Sequence, residues 1–235
     1  MRNLARRLVR AAIGEPAFAA LRGLYWPLKL RFTAYEPETE LLPLLVPRGG
    51  VCIDVGGNFG QFASYLARAA GPEGVVHSFE PLTYNGRVFQ GVMRRMKLTN
   101  VVFYPYAVGA KGGTLRIAVT ARNTGEAHVS DAGEEVEVVT LDEWGAHLGR
   151  LDFIKIDVEG FELDVLRGAS GLLQRFRPAI VCEVTVFSEE RYGVPPAASF
   201  AFLRALGYRG HVWREGRLVP VERPVDGAIN YIFLQ

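Results

Sequence analysis

Apolar residues along this chain fall into short runs separated by amphipathic stretches. The run 51–56 (VCIDVG) is apolar and bounded by Gly49-Gly50 and Gly56-Gly57, the pattern of a buried parallel strand. Residues 59–70 carry Phe62, Tyr65, Leu66 and Ala69 at helical spacing, and Gly71-Pro72 ends that helix. The unit recurs as strand 75–80 with helix 84–97, strand 101–108, strand 151–158 with helix 161–176, and strand 179–184 with helix 197–206. Shorter strands are expected at 114–119 and 135–141, around a polar loop at 120–134. Two antiparallel strands, 210–214 and 228–234, complete the chain. Repeated strand–helix units imply right-handed crossovers and a parallel sheet covered on both faces. The expectation is an α/β, doubly wound, mostly parallel sheet with an antiparallel C-terminal edge over residues 46–235. Residues 1–45 read as a helical N-terminal extension, interrupted at Pro16, Pro27, Pro37 and Pro43.

In open sheets of this kind ligands bind at the carboxyl ends of the strands, near the point where strand order reverses. That rule directs attention to the residues after 55, 80, 108, 158 and 184. The first such loop is Asp54-Val-Gly-Gly-Asn-Phe-Gly60. A glycine-rich turn between strand and helix lets backbone approach a ligand. The spacing Gly56, Gly57, Asn58, Gly60 departs from the G-x-G-x-x-G of dinucleotide sites, and Asp54 would repel a diphosphate. A carboxylate there suits the ammonium and sulfonium of S-adenosyl-L-methionine (AdoMet). Glu80 ends the second strand 20 positions after Gly60, the offset at which an acid holds ribose hydroxyls. Backbone groups of Tyr106 and Ala107, after the third strand, are the expected partners of an adenine edge. A strand–helix turn without a ligand and a solvated strand-end acid are the alternatives.

Lys155-Ile-Asp157-Val-Glu159-Gly-Phe-Glu162 is the most unusual segment. By strand alternation Lys155, Asp157 and Glu159 share one face, where charges cost desolvation unless they pair or line a cleft. Asp157 or Glu159 could remove a proton from an acceptor hydroxyl or orient it, with Lys155 keeping the carboxylates ionised. A structural Lys155–Asp157 pair, with Glu159 and Glu162 opening the next helix, is the alternative. Glu183, alone in an apolar strand, is expected in the same cleft or paired with Lys155. His128, in the 120–134 loop, is a further candidate base or acceptor-binding residue, whereas His77 reads as a core histidine. A divalent cation on Asp157 and Glu183 suits hard-ligand chemistry, but nothing in the spacing requires a metal.

Composition narrows the partners. A net charge of +2 argues against nucleic acid. Cys52 and Cys182 lie in core strands without a disulfide framework, so a reducing, cytoplasmic setting is expected. The first 31 residues hold seven basic residues and one acid, with Leu4, Leu8 and Ala11 on one helical face. They read as a helix lying on the domain, as a peripheral membrane contact, or as a transit-peptide-like start.

Taken together, Asp54–Gly60, Phe79-Glu80-Pro81, Asn100-Val101, Thr140-Leu141-Asp142, Ile154–Glu162, Val165–Ala169 and Glu183 resemble the FkbM family of AdoMet-dependent methyltransferases, over roughly residues 50–185. The resemblance implies a class I methyltransferase (Rossmann-like) fold, AdoMet as donor, and O-methylation of a small-molecule acceptor such as a glycan or a polyketide-type natural product. It puts Asp54, Gly56, Asn58, Gly60 and Glu80 in the donor site and Asp157 and Glu159 at its catalytic edge. Gly57 departs from the alanine the family leads one to expect. The rivals are a NAD-type Rossmann oxidoreductase, a non-catalytic AdoMet-binding or partner-binding protein, and an N-methyltransferase. The last lacks the Asn/Asp-Pro-Pro-aromatic tetrapeptide expected after strand four.

Overall fold

The computed structural model of the chain describes residues 11–32, 37–119 and 127–235. Its strands are β1 (Val51–Val55), β2 (Val75–Phe79), β3 (Val101–Tyr104), β4 (Ala107–Val108), β5 (Gly113–Val119), β6 (Ala127–Val129), β7 (Glu134–Val139), β8 (Phe153–Ile156), β9 (Ala179–Glu183), β10 (Arg209–Arg214), β11 (Arg217–Val221) and β12 (Asn230–Leu234). Its α-helices are α1 (Glu15–Phe32), α2 (Leu42–Leu45), α3 (Gln61–Ala70), α4 (Thr83–Met96), α5 (Leu141–Trp144), α6 (Glu162–Arg167), α7 (Ser170–Phe176), α8 (Phe187–Tyr192) and α9 (Ala197–Ala205).

The main sheet runs β11-β10-β12-β9-β8-β1-β2-β3. Its five strands from β9 to β3 are mutually parallel, and β12, β10 and β11 add an antiparallel edge. Strand order reverses between β1 and β8, so the crevice sits at their carboxyl ends. Alternation along β1 divides the core into two layers. Ile53 and Val55 face a cluster with Val165, Leu166, Leu173 and Phe200. Cys52 faces the other cluster, with Phe62, Leu66, Val88 and Phe89. Cys182 belongs to the first layer; both cysteines are free and fully buried. Burial pushes the Cys52 thiol up to about 12 and the Cys182 thiol well above its ordinary range.

A second, four-stranded sheet, β4-β7-β5-β6, lies outside this frame. The expected strand 101–108 is in fact two: Pro105 cannot donate to a ladder, and β3 stays in the main sheet while β4 pairs with β7 in the small one. Part of the polar loop 120–134 also becomes strand β6, paired antiparallel to β5; residues 120–126 lie outside the described residues. The expected helix 161–176 breaks into α6 and α7 at Gly168, where an added Cβ would stand 2.0 Å from the Gly109 carbonyl oxygen. The Asp142 carboxylate caps the restart, accepting the Gly171 and Leu172 amides at 2.9 and 2.8 Å. Strand 151–158 shortens to β8, because the charged residues after Ile156 leave the sheet in a turn with Glu159 at φ 56°.

At the N-terminus the expected interruption at Pro16 falls at Gly14, at φ 77°, after which α1 begins with Pro16 in its first turn; Pro27 lies inside α1 without ending it. It crosses α4 where Gly23 meets Gly91: a Cβ on Gly23 would lie 3.2 Å from the Gly91 Cα.

Candidate active site

The carboxyl ends of β1, β2, β8 and β9 form the floor of a cleft with about 200 Å³ of water-accessible space, and the small sheet forms its roof. Gly56, Asn58 and Glu80 line one side. Asp157, Glu159 and Glu183 line another. Leu115, Ile117 and His128 face them from β5 and β6.

The glycine loop folds tightly for identifiable reasons. Gly56 has φ 85°, and a Cβ there would fall 1.8 Å from the Asp157 carbonyl oxygen, so the loops after β1 and β8 touch through backbone. The Gly56 and Gly57 amides both donate to the Phe79 carbonyl, at 3.0 and 2.9 Å. A Cβ on Gly57 would meet the Ser78 hydroxyl at 2.3 Å. That hydroxyl donates to Asp54 Oδ2 at 2.7 Å. The Gly57 departure from the family pattern therefore has a local counterpart in Ser78. Gly60, at φ 82°, sits against Phe89 and Met93. Gly57 and Gly60 shape the loop from outside the cleft lining. So does Asp54: it shares the parity of Cys52, is buried beneath the loop and braces it through Ser78 rather than facing the cleft.

Glu80 is 5% exposed and does face the cleft. Its Oε2 accepts the Asn58 amide and its Oε1 the Leu82 amide, each at 2.9 Å. Burial pushes its carboxyl up to about 7, against the pull of those hydrogen bonds. Two polar atoms of the lining residues, Asn58 Oδ1 and His128 Nδ1, are buried without a hydrogen-bond partner. Tyr106 and Ala107 also line the cleft, at the crossing from β3 to β4. A diol acceptor at Glu80, an unpartnered amide oxygen at Asn58 and an apolar wall fit a nucleoside bearing a polar tail.

Lys155 meets the expected carboxylates from beneath the cleft rather than from its lining. It lies at the base, 1% exposed and outside the lining. Its Nζ donates to Asn230 Oδ1 at 3.1 Å, stands 3.6 Å from Asp157 Oδ2, and lies 5.4 Å from the Phe62 ring centroid. Asn230 stands opposite Glu183 in the β12–β9 pairing. The turn after β8 is held from below by Glu162, whose Oε1 accepts the Gly160 amide at 2.9 Å and the Val158 amide at 3.3 Å. Glu183 is pushed up to about 8, first by burial and then by Asp157, with Lys155 pulling the other way.

Helix α8, absent from the expected elements, ties the site together. Arg191 Nη1 donates to the Glu159 carbonyl at 2.9 Å and lies 3.8 Å from its carboxylate. Tyr192 Oη accepts the Val129 amide of β6 at 3.0 Å. One turn and a half of helix thus joins the turn after β8 to the roof. Its signal in the sequence is thin: six residues closed by Gly193 in a left-handed cap.

Comparison with known proteins agrees with this architecture. The family model described as "Methyltransferase FkbM domain" matches residues 54–209. A protein named Methyltransferase 1 from Beauveria bassiana (strain ARSEF 2860) is 30% identical over 151 residues, covering 52% of this chain and 59% of that one. Among solved structures, methyltransferase FkbM from Methylobacillus flagellatus KT superposes with a TM-score of 0.53 at 16% identity, over 94% of this chain and 58% of that one. The chain thus spans about three fifths of the length of these two relatives. The O-methyltransferase TomG from Streptomyces achromogenes, involved in tomaymycin synthesis and solved in complex with SAM, gives 0.51 at 14% identity, over 94% and 88%. The superpositions establish the class I methyltransferase fold, and the family match extends across the glycine loop, Glu80 and the turn after β8. The chain belongs to the FkbM family of methyltransferases.

Proposed function

We propose that this protein methylates a hydroxyl of a small molecule, of sugar or polyketide type, with carboxylate assistance. The observation that carries this reading is the convergence of Asp157, Glu159 and Glu183 on one cleft under an apolar roof. In this reading Asn58 and Glu80 hold the donor, S-adenosylmethionine, which the TomG structure contains. When bound, the donor supplies a methyl group activated by a sulfonium.

The rest of the chemistry falls to the chain. As the acceptor oxygen forms its new bond to carbon, its proton needs a base. Glu183, pushed up to about 8, is matched to an acceptor proton near neutral pH. Asp157 is tethered by Lys155 and stands beside it. Leu115, Ile117 and Val129 exclude water from above. The two free cysteines support a cytoplasmic setting.

The test is release of S-adenosylhomocysteine on a panel of sugars and polyketide-type alcohols, with matched amines beside them. Turnover with the alcohols should rise with an apparent pKa near 8. Glu183→Gln should lower kcat at least about a hundredfold, within the range for a positioned base, and flatten the pH profile. Native turnover in that variant would end the carboxylate-assistance reading. Methylation of the amines alone would end the hydroxyl reading.

A further inference from the structure

Helix α1 is apolar on both sides. Its inner face, Phe18, Ala19, Gly23, Trp26 and Pro27, packs on the domain; Ala19 is buried and Trp26 meets Phe59 edge-on at 5.2 Å. Its outer face carries Leu21, Leu24, Tyr25 and Leu28 at positions i, i+3, i+4 and i+7, exposed by 50, 49, 61 and 54%. Ile13, just before α1 begins, is 41% exposed. Between residues 16 and 28 the single charged side chain is Arg22, and it is turned inward, 4.4 Å from the Phe59 ring centroid. A monomer in water does not ordinarily leave such a stripe uncovered.

The groove beside this stripe is lined by basic side chains. Alongside Pro16, Ala20 and Leu24 the groove is lined by Arg87, Arg94 and Arg95 of α4. The α4 sequence contains no acid, and exposed Lys97 follows it. In the sequence Arg2, Arg6, Arg7 and Arg10 precede α1. An apolar stripe bordered by arginine matches the boundary between acyl chains and anionic headgroups. A second copy docked through this face would bring the two sets of arginines together, a juxtaposition that like charges oppose. No helix among the described residues is long and apolar enough to cross a membrane, so the contact is one of lying on the surface.

We propose that the outer face of α1 seats this protein on an anionic lipid surface, with Leu21, Leu24, Tyr25 and Leu28 entering the headgroup boundary and Arg87, Arg94 and Arg95 meeting lipid phosphates. This goes beyond the methyl-transfer reading and is independent of it.

The test is sedimentation of the full chain with phosphatidylcholine vesicles, with and without 30% phosphatidylglycerol, at about 0.1 M salt, roughly a 10 Å screening length. Partitioning should be at least tenfold stronger on the anionic vesicles and should weaken as salt rises. Leu24→Glu with Leu28→Glu should abolish it while leaving S-adenosylhomocysteine affinity within threefold, which shows that the variant is folded. Arg94→Glu with Arg95→Glu should remove the preference for the anionic vesicles. Absence of binding by the native chain overturns the proposal, as does undiminished binding by Leu24→Glu with Leu28→Glu. A native dimer made monomeric by that pair would assign the face to a second copy and overturn it too. Loss of binding on deletion of residues 1–10, with the leucine pair intact in effect, would assign the contact to the preceding segment instead.

Discussion

Glu80→Gln is nearly isosteric, yet the structure predicts that it is not conservative. Both carboxylate oxygens accept backbone amides, Oε1 from Leu82 and Oε2 from Asn58. A glutamine offers one oxygen and one amide nitrogen, so in either orientation a donor faces a donor. One buried N–H then loses its partner, and the acceptor presented to the cleft loses its charge. Leaving a buried donor unsatisfied costs about 1–3 kcal/mol, a roughly 5- to 150-fold rise in Kd if it falls on the ligand-bound loop. Calorimetric titration with S-adenosylhomocysteine at pH 8, with thermal unfolding as a check on folding, measures it. NADH should give no binding to either form. The native protein should also bind more tightly as pH rises through about 7, where Glu80 ionises, and the variant should lack that dependence. Binding of the variant within threefold of native would refute the placement of Glu80 as a charged acceptor. A pH dependence that survives would move the titration to another group.

Three further outcomes follow from the geometry. Gly57→Ala should destabilise by about 1–3 kcal/mol in urea unfolding, because its Cβ meets the Ser78 hydroxyl; Ser78→Ala in the same chain should recover part of that loss, and strict additivity would show that the two do not touch. Asp142→Ala should lower stability by about 0.5–2 kcal/mol through loss of the α7 cap, and an unchanged urea midpoint would contradict it. Glu183 is held up at about 8 when folded, so the native state keeps a proton the unfolded chain gives up near its ordinary carboxyl value; its contribution to stability is full below about 4.5 and is lost as pH rises through about 8. Glu183→Gln should flatten the fall in unfolding free energy between pH 5 and 9, and an equally steep fall would point to other groups.

The main sheet was legible because its signal is local. The parallel strands β1, β2, β8 and β9 are apolar runs closed by glycine, proline or an acid, and each read within two residues of its true ends; β3 was read four residues too long, across Pro105 into β4. The antiparallel edge was half legible: β10 and β12 stood out. Strand β11 did not, although Glu215 and Gly216, both at positive φ, form the two-residue turn that joins it to β10. The roof was legible in part. Strands β5 and β7 were read close to their true ends, whereas β6 and the pairing of these strands with β4 into a separate sheet were not, because the polar stretch before β7 gives no periodicity from which to infer them.

The candidate site divides in the same way. Glu80, Asp157, Glu159 and Glu183 sit at strand ends, where the topology rule looks, and the structure brings them to one cleft. Asp54 and Lys155 satisfy the same rule by position, but strand parity turns both into the packed face. Alternation over Lys155, Asp157 and Glu159 held for the first pair alone, because the chain leaves the sheet after Ile156. Asn230, Arg191 and Tyr192 support the site from elements with no motif of their own.

The two cysteines have a use that their burial creates. Cys52 lies in the layer against α3 and α4, and Cys182 in the layer against α6, α7 and α9, on opposite sides of one sheet. Neither thiol meets a reagent in the closed protein, and both are held in the unreactive protonated form. The rate at which each is modified therefore reports how often its own layer opens, without any engineered probe. Equal rates across a denaturant series would mean that the sheet yields its two faces in one cooperative event. A faster Cys52 would mean that the layer beneath the glycine loop and α1 breathes on its own, and that a ligand held by that loop has a local equilibrium to act upon.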